Sequence, residues 1–394
     1  MVSSARNRRM EEWLAGLGRE LGERRERHLL RELRQVQSAQ GPELTIEGVS
    51  YLQFCTNNYL GLASDPEVIR AAVEATEKFG TGAGASRLVA GSMALHHDLE
   101  RALARLKGTE GALVFSTGYM ANLAVLTTFA GEGDLIVSDK LNHASLLDAA
   151  KFSGATHRTF PHLNAGRAKS LLEKGEGLKF LVTDSVFSMD GDVARLPELA
   201  DVAEEARALL VIDEAHATGV LGKRGAGLAE LQGATERVAV TVGTLSKALG
   251  SVGGFVSGAK VVIESLVNSA RSFIFTTALP PACSAAGLAA LKIVEREPGR
   301  RERVMRLAGH VKTELQGMGY ETGESASPIV PVILGDSEKA MAVAGRLREV
   351  GIWVPAIRPP TVGVNSARLR ISLMATHTDS QVERLLDAMR GLRG

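Results

Sequence analysis

The sequence predicts an α/β protein: a mostly parallel central sheet covered by helices, followed by a smaller α+β domain. Three observations carry this expectation. From about residue 98 to 256, short apolar runs alternate with segments of helical spacing, the pattern of repeated β–α units. Most of these runs, such as the centre of Leu209-Leu-Val-Ile-Asp213, are apolar without alternation, which suits strands buried on both faces. Past Glu297-Pro-Gly299 the alternation gives way to long charged helices and isolated strands. The 394 residues suffice for about two or three domains. The expected divisions are a helical arm and hairpin over 1–58, a large α/β domain over 59–290, and a small α+β domain over 291–394.

Taken in order, residues 6–37 place Trp13, Leu14, Leu17 and Leu21, then Leu29, Leu30 and Leu33, at helical spacing. An amphipathic arm with a charged outer face is expected there, weakened by Gly16, Gly18 and Gly22 and ended by Gly41-Pro42. The apolar residues at 44–46 and 51–54 flank Glu47-Gly48 as a hairpin. Asp65 is placed to cap a helix that has Pro66 in its first turn and runs to residue 79. Strands are expected at 112–115, 134–138, 156–160, 179–184, 209–213, 238–242 and 254–256, with helices at 120–129, 144–152 and 197–207 between them. In the C-terminal part we expect helices at 301–317, 337–350 and 379–392, and strands at 329–334, 352–354 and 369–373.

Composition narrows the function classes. A net charge of +1 gives no bulk attraction for nucleic acid or a membrane surface, so neither is expected as a partner. No apolar run is long enough to span a bilayer. The Arg-rich N-terminus also carries Glu11, Glu12, Glu20, Glu23 and Glu26, which argues against a transit peptide. Cys55 and Cys283 lie far apart, as expected of free thiols in a cytoplasmic protein. No metal site is expected: His96 and His97 are adjacent, and neither H-E-x-x-H nor C-x-x-C occurs.

The chemistry centres on Thr241-Val-Gly-Thr-Leu-Ser-Lys-Ala-Leu-Gly250. An apolar run stops in small and hydroxylated residues around Lys247, placing the lysine at a strand end, where open α/β sheets bind ligands. Thr244 and Ser246 supply hydroxyls of the kind that hold phosphate. A lysine beside phosphate donors suits covalent chemistry with an aldehyde cofactor, although a lone lysine is more often a solvated surface residue. Corroboration comes from neighbouring strand ends. Asp213 ends a strand and could balance a protonated pyridine ring; His143 follows another and could stack on it. Ser116-Thr-Gly-Tyr-Met-Ala-Asn122 opens a helix whose first N–H groups form an anion site. Separately, these have bland readings as an N-cap, a loop histidine and a turn. Val211-Ile-Asp-Glu-Ala-His216 also looks like a helicase Walker B segment, but the required G-x-x-x-x-G-K-[ST] is missing.

Together the motifs resemble those of the α-oxoamine synthases, which are fold-type I (aspartate-aminotransferase-like) enzymes dependent on pyridoxal 5′-phosphate. The matching stretches are Asn57-Asn-Tyr-Leu-Gly-Leu62, Ser86-Arg-Leu-Val-Ala-Gly91, Asn142-His-Ala-Ser145 and Ser185-Val-Phe-Ser-Met-Asp-Gly-Asp192. Asp213-Glu-Ala-His-Ala-Thr-Gly219, Thr244-Leu-Ser-Lys247 and Ala356-Ile-Arg-Pro-Pro-Thr-Val362 complete the set. The resemblance implies that Lys247 holds the cofactor covalently, Asp213 pairs with its ring nitrogen and His143 stacks on it. His216 and Ser188 would bond near the ring oxygen, while Thr244 and the amides of Gly118 and Tyr119 hold the phosphate. Arg370 is implied on the amino-acid carboxylate and Arg31 on the acyl substrate, with Asn57 and Thr361 also implied in substrate binding. Family members are homodimers with shared sites, so Thr276 and Thr277 are expected to serve the neighbouring subunit's phosphate.

The last matching stretch points to L-alanine and a pimeloyl thioester, carried by coenzyme A or a carrier protein, as substrates. A sister activity on glycine and acetyl-CoA is the alternative. A non-catalytic subunit of the same fold would have no need of Lys247, Asp213 and His143 together. Two departures from the family pattern stand out: Asp184 where Glu is usual, and Gly363-Val-Asn-Ser366 in place of a Pro-containing turn.

Overall fold

The computed structural model describes residues 2–27 and 29–392. Helix α1 (Val2–Glu26) leads to the hairpin β1 (Glu43–Ile46) and β2 (Val49–Gln53). Next come α2 (Pro66–Phe79), α3 (Ala94–Lys107), β3 (Gly111–Phe115), α4 (Gly118–Phe129), β4 (Leu135–Asp139), α5 (Ala144–Phe152) and β5 (Thr156–Phe160). Helix α6 (Ala165–Leu172), β6 (Lys179–Asp184), α7 (Leu196–Glu205), β7 (Leu209–Asp213), the short α8 (Leu228–Leu231), β8 (Val240–Thr244) and β9 (Gly254–Gly258) complete the sheet region. Helices α9 (Lys260–Ser269), α10 (Arg271–Ile274), α11 (Pro281–Arg296) and α12 (Pro298–Gly317) connect it to β10 (Ile329–Gly335), α13 (Ser337–Glu349), β11 (Ile352–Trp353), β12 (Ala356–Ile357), β13 (Ala367–Ser372) and α14 (Asp379–Gly391).

The central sheet has seven strands in the order β3-β9-β8-β7-β6-β4-β5, all parallel except β9. Both faces are dry. Leu113, Ile136, Val182, Val211, Val242 and Val256 pack under α4 and α5, while Val114, Val137, Leu181, Leu210 and Phe255 pack with the helices opposite. Each such side chain, fully buried, contributes about 1.5–3 kcal/mol. Register aligns the chemistry: Asp184 lies opposite Asp213, and Asp213 opposite Val242, so the carboxyl ends of β6, β7 and β8 form one edge. At the far end, Gly254 pairs with both Phe115 and Thr244. A Cβ at Gly254 would stand 2.5 Å from Gly118 Cα, so only glycine lets α4 begin this close to β9.

Asp65 caps α2 by accepting from Glu67 N (2.9 Å), as its position before Pro66 predicts. The arm differs from expectation. The helix stops at Glu26, and Leu29, Leu30 and Leu33 lie outside it. Residues 35–37 instead run along β1, with Gln37 N donating to Thr45 O (2.8 Å) and Glu47 N to Gln35 O (3.0 Å). These bonds satisfy a sheet edge that would otherwise lack partners, a gain that helical spacing does not reveal. Strand β8 also begins later than expected, because residues 235–237 form a 3₁₀ turn closed by Val238 N on Thr235 O.

In the C-terminal part, β10, β13 and β12 form an antiparallel sheet. Strand β11 leaves it and pairs parallel with β2, so residues from the two ends of the chain share a sheet. Among the described residues no helix is long and apolar enough to cross a membrane, and Cys55 and Cys283 are free thiols.

Candidate active site

The ends of β6, β7 and β8 and the starts of α4 and α5 enclose a cavity of about 230 Å³. Lys247 enters it from a tight turn after β8. Thr244 Oγ1 donates to Gly253 O (2.8 Å), Leu245 N donates to the same oxygen (2.9 Å), and Gly250 N closes on Lys247 O (3.0 Å). The amine itself makes no hydrogen bond or ion pair among the described residues. Burial pushes its pKa down; Asp213 and Asp184 oppose this, and Arg370 adds to it.

Asp213 faces the same cavity with both oxygens fixed. Ala215 N donates to Oδ1 (2.8 Å) and Asn122 Nδ2 to Oδ2 (2.7 Å). Asn122 lies one turn into α4 and also donates to Ser145 Oγ (2.8 Å), which in turn contacts His143 Nδ1 (2.7 Å). A continuous polar chain thus joins Asp213 to His143. His143 is the N-cap of α5; its backbone N donates to Asp184 Oδ2 (2.7 Å), so the shorter Asp184 side chain does reach it. Burial, then the nearby Asp213, hold the Asp184 carboxyl well above its ordinary range.

His216 lies on the cavity wall, buried, with Nδ1 2.7 Å from Tyr59 Oη. Burial, Lys247 and Arg370 push its pKa well down, which favours a neutral ring. Arg370 comes in from β13. Its Nε donates to Ser188 O (2.5 Å), Nη1 to Ser372 Oγ (2.9 Å) and Nη2 to Asn57 Oδ1 (3.1 Å). Nη2 also donates to Tyr59 Oη (3.5 Å). These bonds fix the guanidinium plane and leave the second N–H of Nη1 to meet a carboxylate. The Gly363–Ser366 turn leaves this arrangement intact: Ser366 N donates to Gly363 O (3.2 Å), with Asn365 at φ 60°.

At the opposite end of the cavity stand Gly118, Tyr119, Thr244 and Ser246. The N–H groups of Gly118 and Tyr119 begin α4, ahead of any intrahelical acceptor, and Thr117 Oγ1 takes the next, Met120 N (3.2 Å). Tyr119 turns its hydroxyl outward to Asp148, leaving only its backbone facing inward. Two amides at a helix start, without an acceptor among the described residues, beside two hydroxyls make an anion cradle.

The family description "Aminotransferase class I and II" matches residues 49–389. This chain belongs to the class I and II aminotransferase family. Within that family, it is 48% identical over 371 residues to 8-amino-7-oxononanoate synthase of Cellvibrio japonicus (strain Ueda107), covering 94% of this chain and 93% of the relative. A high-resolution structure of serine palmitoyltransferase (SPT) with a PLP internal aldimine superposes with a TM-score of 0.91 at 34% identity, covering 95% and 96% of the two chains. The 8-amino-7-oxononanoate synthase of Francisella tularensis superposes at 0.75 with 30% identity, over 87% and 98%.

In this aminotransferase-family cavity the structure brings together Lys247, Asp213, His143, His216, Ser188, Thr244, Gly118 and Tyr119. Asn57 and Arg370 adjoin it through Tyr59 and Ser188. Arg31 and Thr361 lie apart from it in an exposed groove, where Arg31 Nη2 donates to Thr361 Oγ1 (3.0 Å) across the chain's two ends. Thr276 and Thr277 do not line the cavity; Thr277 forms a bridge with Ser86 on the surface. Asn122, Ser145 and Tyr59 join the polar network without having been expected as site residues from the sequence. Asn122 had a usable signal, since it follows Gly118 by one helical turn and so shares its face.

Proposed function

We propose that this chain is an 8-amino-7-oxononanoate synthase, a cytoplasmic homodimeric acyltransferase of biotin biosynthesis. It joins L-alanine to a pimeloyl thioester, of coenzyme A or a carrier protein, and releases carbon dioxide and the free thiol. Its residues fit pyridoxal 5′-phosphate: an uncommitted amine at Lys247, a carboxylate at Asp213, and an anion cradle at Gly118, Tyr119 and Thr244 share one cavity. That convergence carries the proposal.

When bound, the cofactor supplies an electron-accepting ring that stabilises negative charge at the amino-acid α-carbon. Lys247 would hold the cofactor covalently through Nζ, and the same nitrogen, when free and neutral, would take the α-proton of alanine. Asp213, locked by Asn122 and Ala215, keeps a proton on the ring nitrogen. His143 would stack on the cofactor ring, and His216 and Ser188 would hydrogen-bond near its ring oxygen. Arg370 grips the alanine carboxylate. Arg31 and Thr361 hold the acyl substrate at the groove they share, and Thr276 and Thr277 serve the partner subunit's phosphate cradle.

Two measurements test this reading. Borohydride treatment followed by peptide mass spectrometry should place the cofactor on Lys247. Product analysis with pimeloyl-CoA and alanine should show the amino ketone at far higher yield than glycine or serine with short or long acyl-CoA. Dominant turnover of glycine with acetyl-CoA would reassign the activity, since a single methyl is worth only about 1–3 kcal/mol in a pocket.

A further inference from the structure

His162, just past β5, lies outside the cavity and has no role in the chemistry above. Its ring bridges two carboxylates: Nδ1 is 3.0 Å from Asp139 Oδ2, and Nε2 is 2.8 Å from Asp192 Oδ2. We propose that His162 is a positioning residue, an imidazolium clamp joining the two loops that deliver His143 and Ser188 to the cofactor.

The bonding pattern decides the charge. Carboxylates only accept, so both ring nitrogens must carry hydrogen. Asp139 ends β4 and also takes Leu141 N (2.8 Å) and Leu163 N (2.9 Å), which shapes the turn into Asn142 and His143. Asn142 then donates to Val182 O (3.0 Å) and accepts from Asp184 N (2.9 Å), and so fixes the start of α5 against β6. Asp192 ends the Ser185–Asp192 stretch, and its backbone oxygen accepts from Phe187 N (3.0 Å). Its Oδ1 is buried without a partner, so His162 is the only group bonding its side chain among the described residues. The His162 ring also stands edge-on to Phe187, centroids 4.4 Å apart.

From the other side, Arg370 holds Ser188 O and Arg368 bonds Asp190. The Ser188 loop is therefore tethered between β13 and His162. Leu163 adopts φ 56°, a left-handed conformation that a leucine takes only under constraint, and the Asp139 bond supplies that constraint.

Burial alone would push the His162 pKa down, but the bonds to Asp139 and Asp192 outweigh it and raise it from 6.5 to about 9. These two carboxylates are the only charged groups within ion-pair distance of the ring among the described residues. The clamp's contribution is therefore complete below the unfolded value of 6.5 and lost as pH rises through about 9.

The link to cofactor binding rests on the reading of Lys247 given above, so the test has two independent arms. NMR titration of ring-labelled histidine in the full-length apo protein should show His162 titrating near pH 9, and falling toward 6.5 in Asp192→Asn. Fluorescence titration of pyridoxal phosphate should show about tenfold weaker binding in His162→Gln at pH 7.5. The wild type should lose affinity through pH 9 more steeply than this variant. Should His162→Gln not fold, a weakening of several-fold in Asp192→Asn carries the same information. A wild-type ring titrating near 6.5, or unchanged cofactor affinity in both variants, overturns the proposal. Failure of the wild type to bind the cofactor at Lys247 would instead sink the functional reading, while the NMR arm still reports on the clamp.

Discussion

Two lysines shielded in the same fold show what separates a structural cation from a reactive one. Lys107, on α3, is buried, and its Nζ bonds the Glu214 carboxylate, Thr218 Oγ1 (2.8 Å) and Ala226 O. Glu214 uses its other oxygen to accept from Ala229 N (2.9 Å). Every proton of that ammonium has an acceptor, so the charge is held fast. Among the described residues Lys247 has no such acceptor, and its compensation is electrostatic, from Asp213 and Asp184. The carboxylates serving the two lysines are consecutive residues at the end of β7: Asp213 faces the cavity and Glu214 the interior. Alternation at a strand end thus splits one acidic pair into a chemical half and a structural half.

The largest expected effect breaks the comparison at its reactive side. Lys247→Ala should lower turnover by about ten-thousand-fold, because it removes both the covalent anchor and the proton acceptor. Its folded state should persist, as measured by calorimetry of the apo protein. Lys107→Met should do the reverse. Leaving Glu214 buried without its cation costs about 3–5 kcal/mol, read as a lower denaturant midpoint, while kcat per folded molecule stays near the wild-type value. A Lys107→Met protein that was stable yet inactive would erase the distinction between the two lysines.

Asp213→Asn and Glu214→Gln sharpen the contrast within a single dipeptide. Asparagine at 213 can still accept from Ala215 N, but its amide meets the Asn122 amide donor to donor and carries no negative charge. Turnover should fall by about a hundredfold or more with a modest change in stability. Glutamine at 214 keeps its shape and loses the ion pair, so stability should fall by about 3 kcal/mol with kcat preserved. Steady-state rates and urea unfolding of both variants would separate the two roles.

Much of this was legible in the chain itself. Strands such as Leu209–Asp213 are apolar runs ending in one polar residue, and that signal locates both the sheet and its ligand edge. Asp65-Pro66 marks a helix start through local chemistry alone. What stayed hidden is non-local. That Arg31 meets Thr361, or that Tyr59 contacts His216, depends on β11 pairing with β2 and on β13 delivering Arg370, contacts that no periodicity encodes. The role of Glu214 was hidden for the same reason: its partner Lys107 lies on a helix that looks, in sequence, like an ordinary charged surface segment. Residues 29–37 misled because leucines at helical spacing stand in a segment whose backbone bonds go to a hairpin edge instead.

The smallest effect probes the cost of keeping an amine uncommitted. In the apo protein the folded-state pKa of Lys247 is depressed, chiefly by burial, so protonation favours the unfolded chain. The penalty is complete below that depressed value, shrinks as pH rises from it, and vanishes above 10.5, where both states are neutral. Lys247→Met removes the charge and keeps the volume. Apo Lys247→Met should therefore melt higher than apo wild type at neutral pH, as read by calorimetry. The two melting curves should converge as pH approaches 10.5. Lys107→Met should show no such gain at any pH, since there the cation is already bonded and its loss strands Glu214. If both substitutions stabilised the protein alike, commitment of the ammonium would not be what distinguishes the two sites.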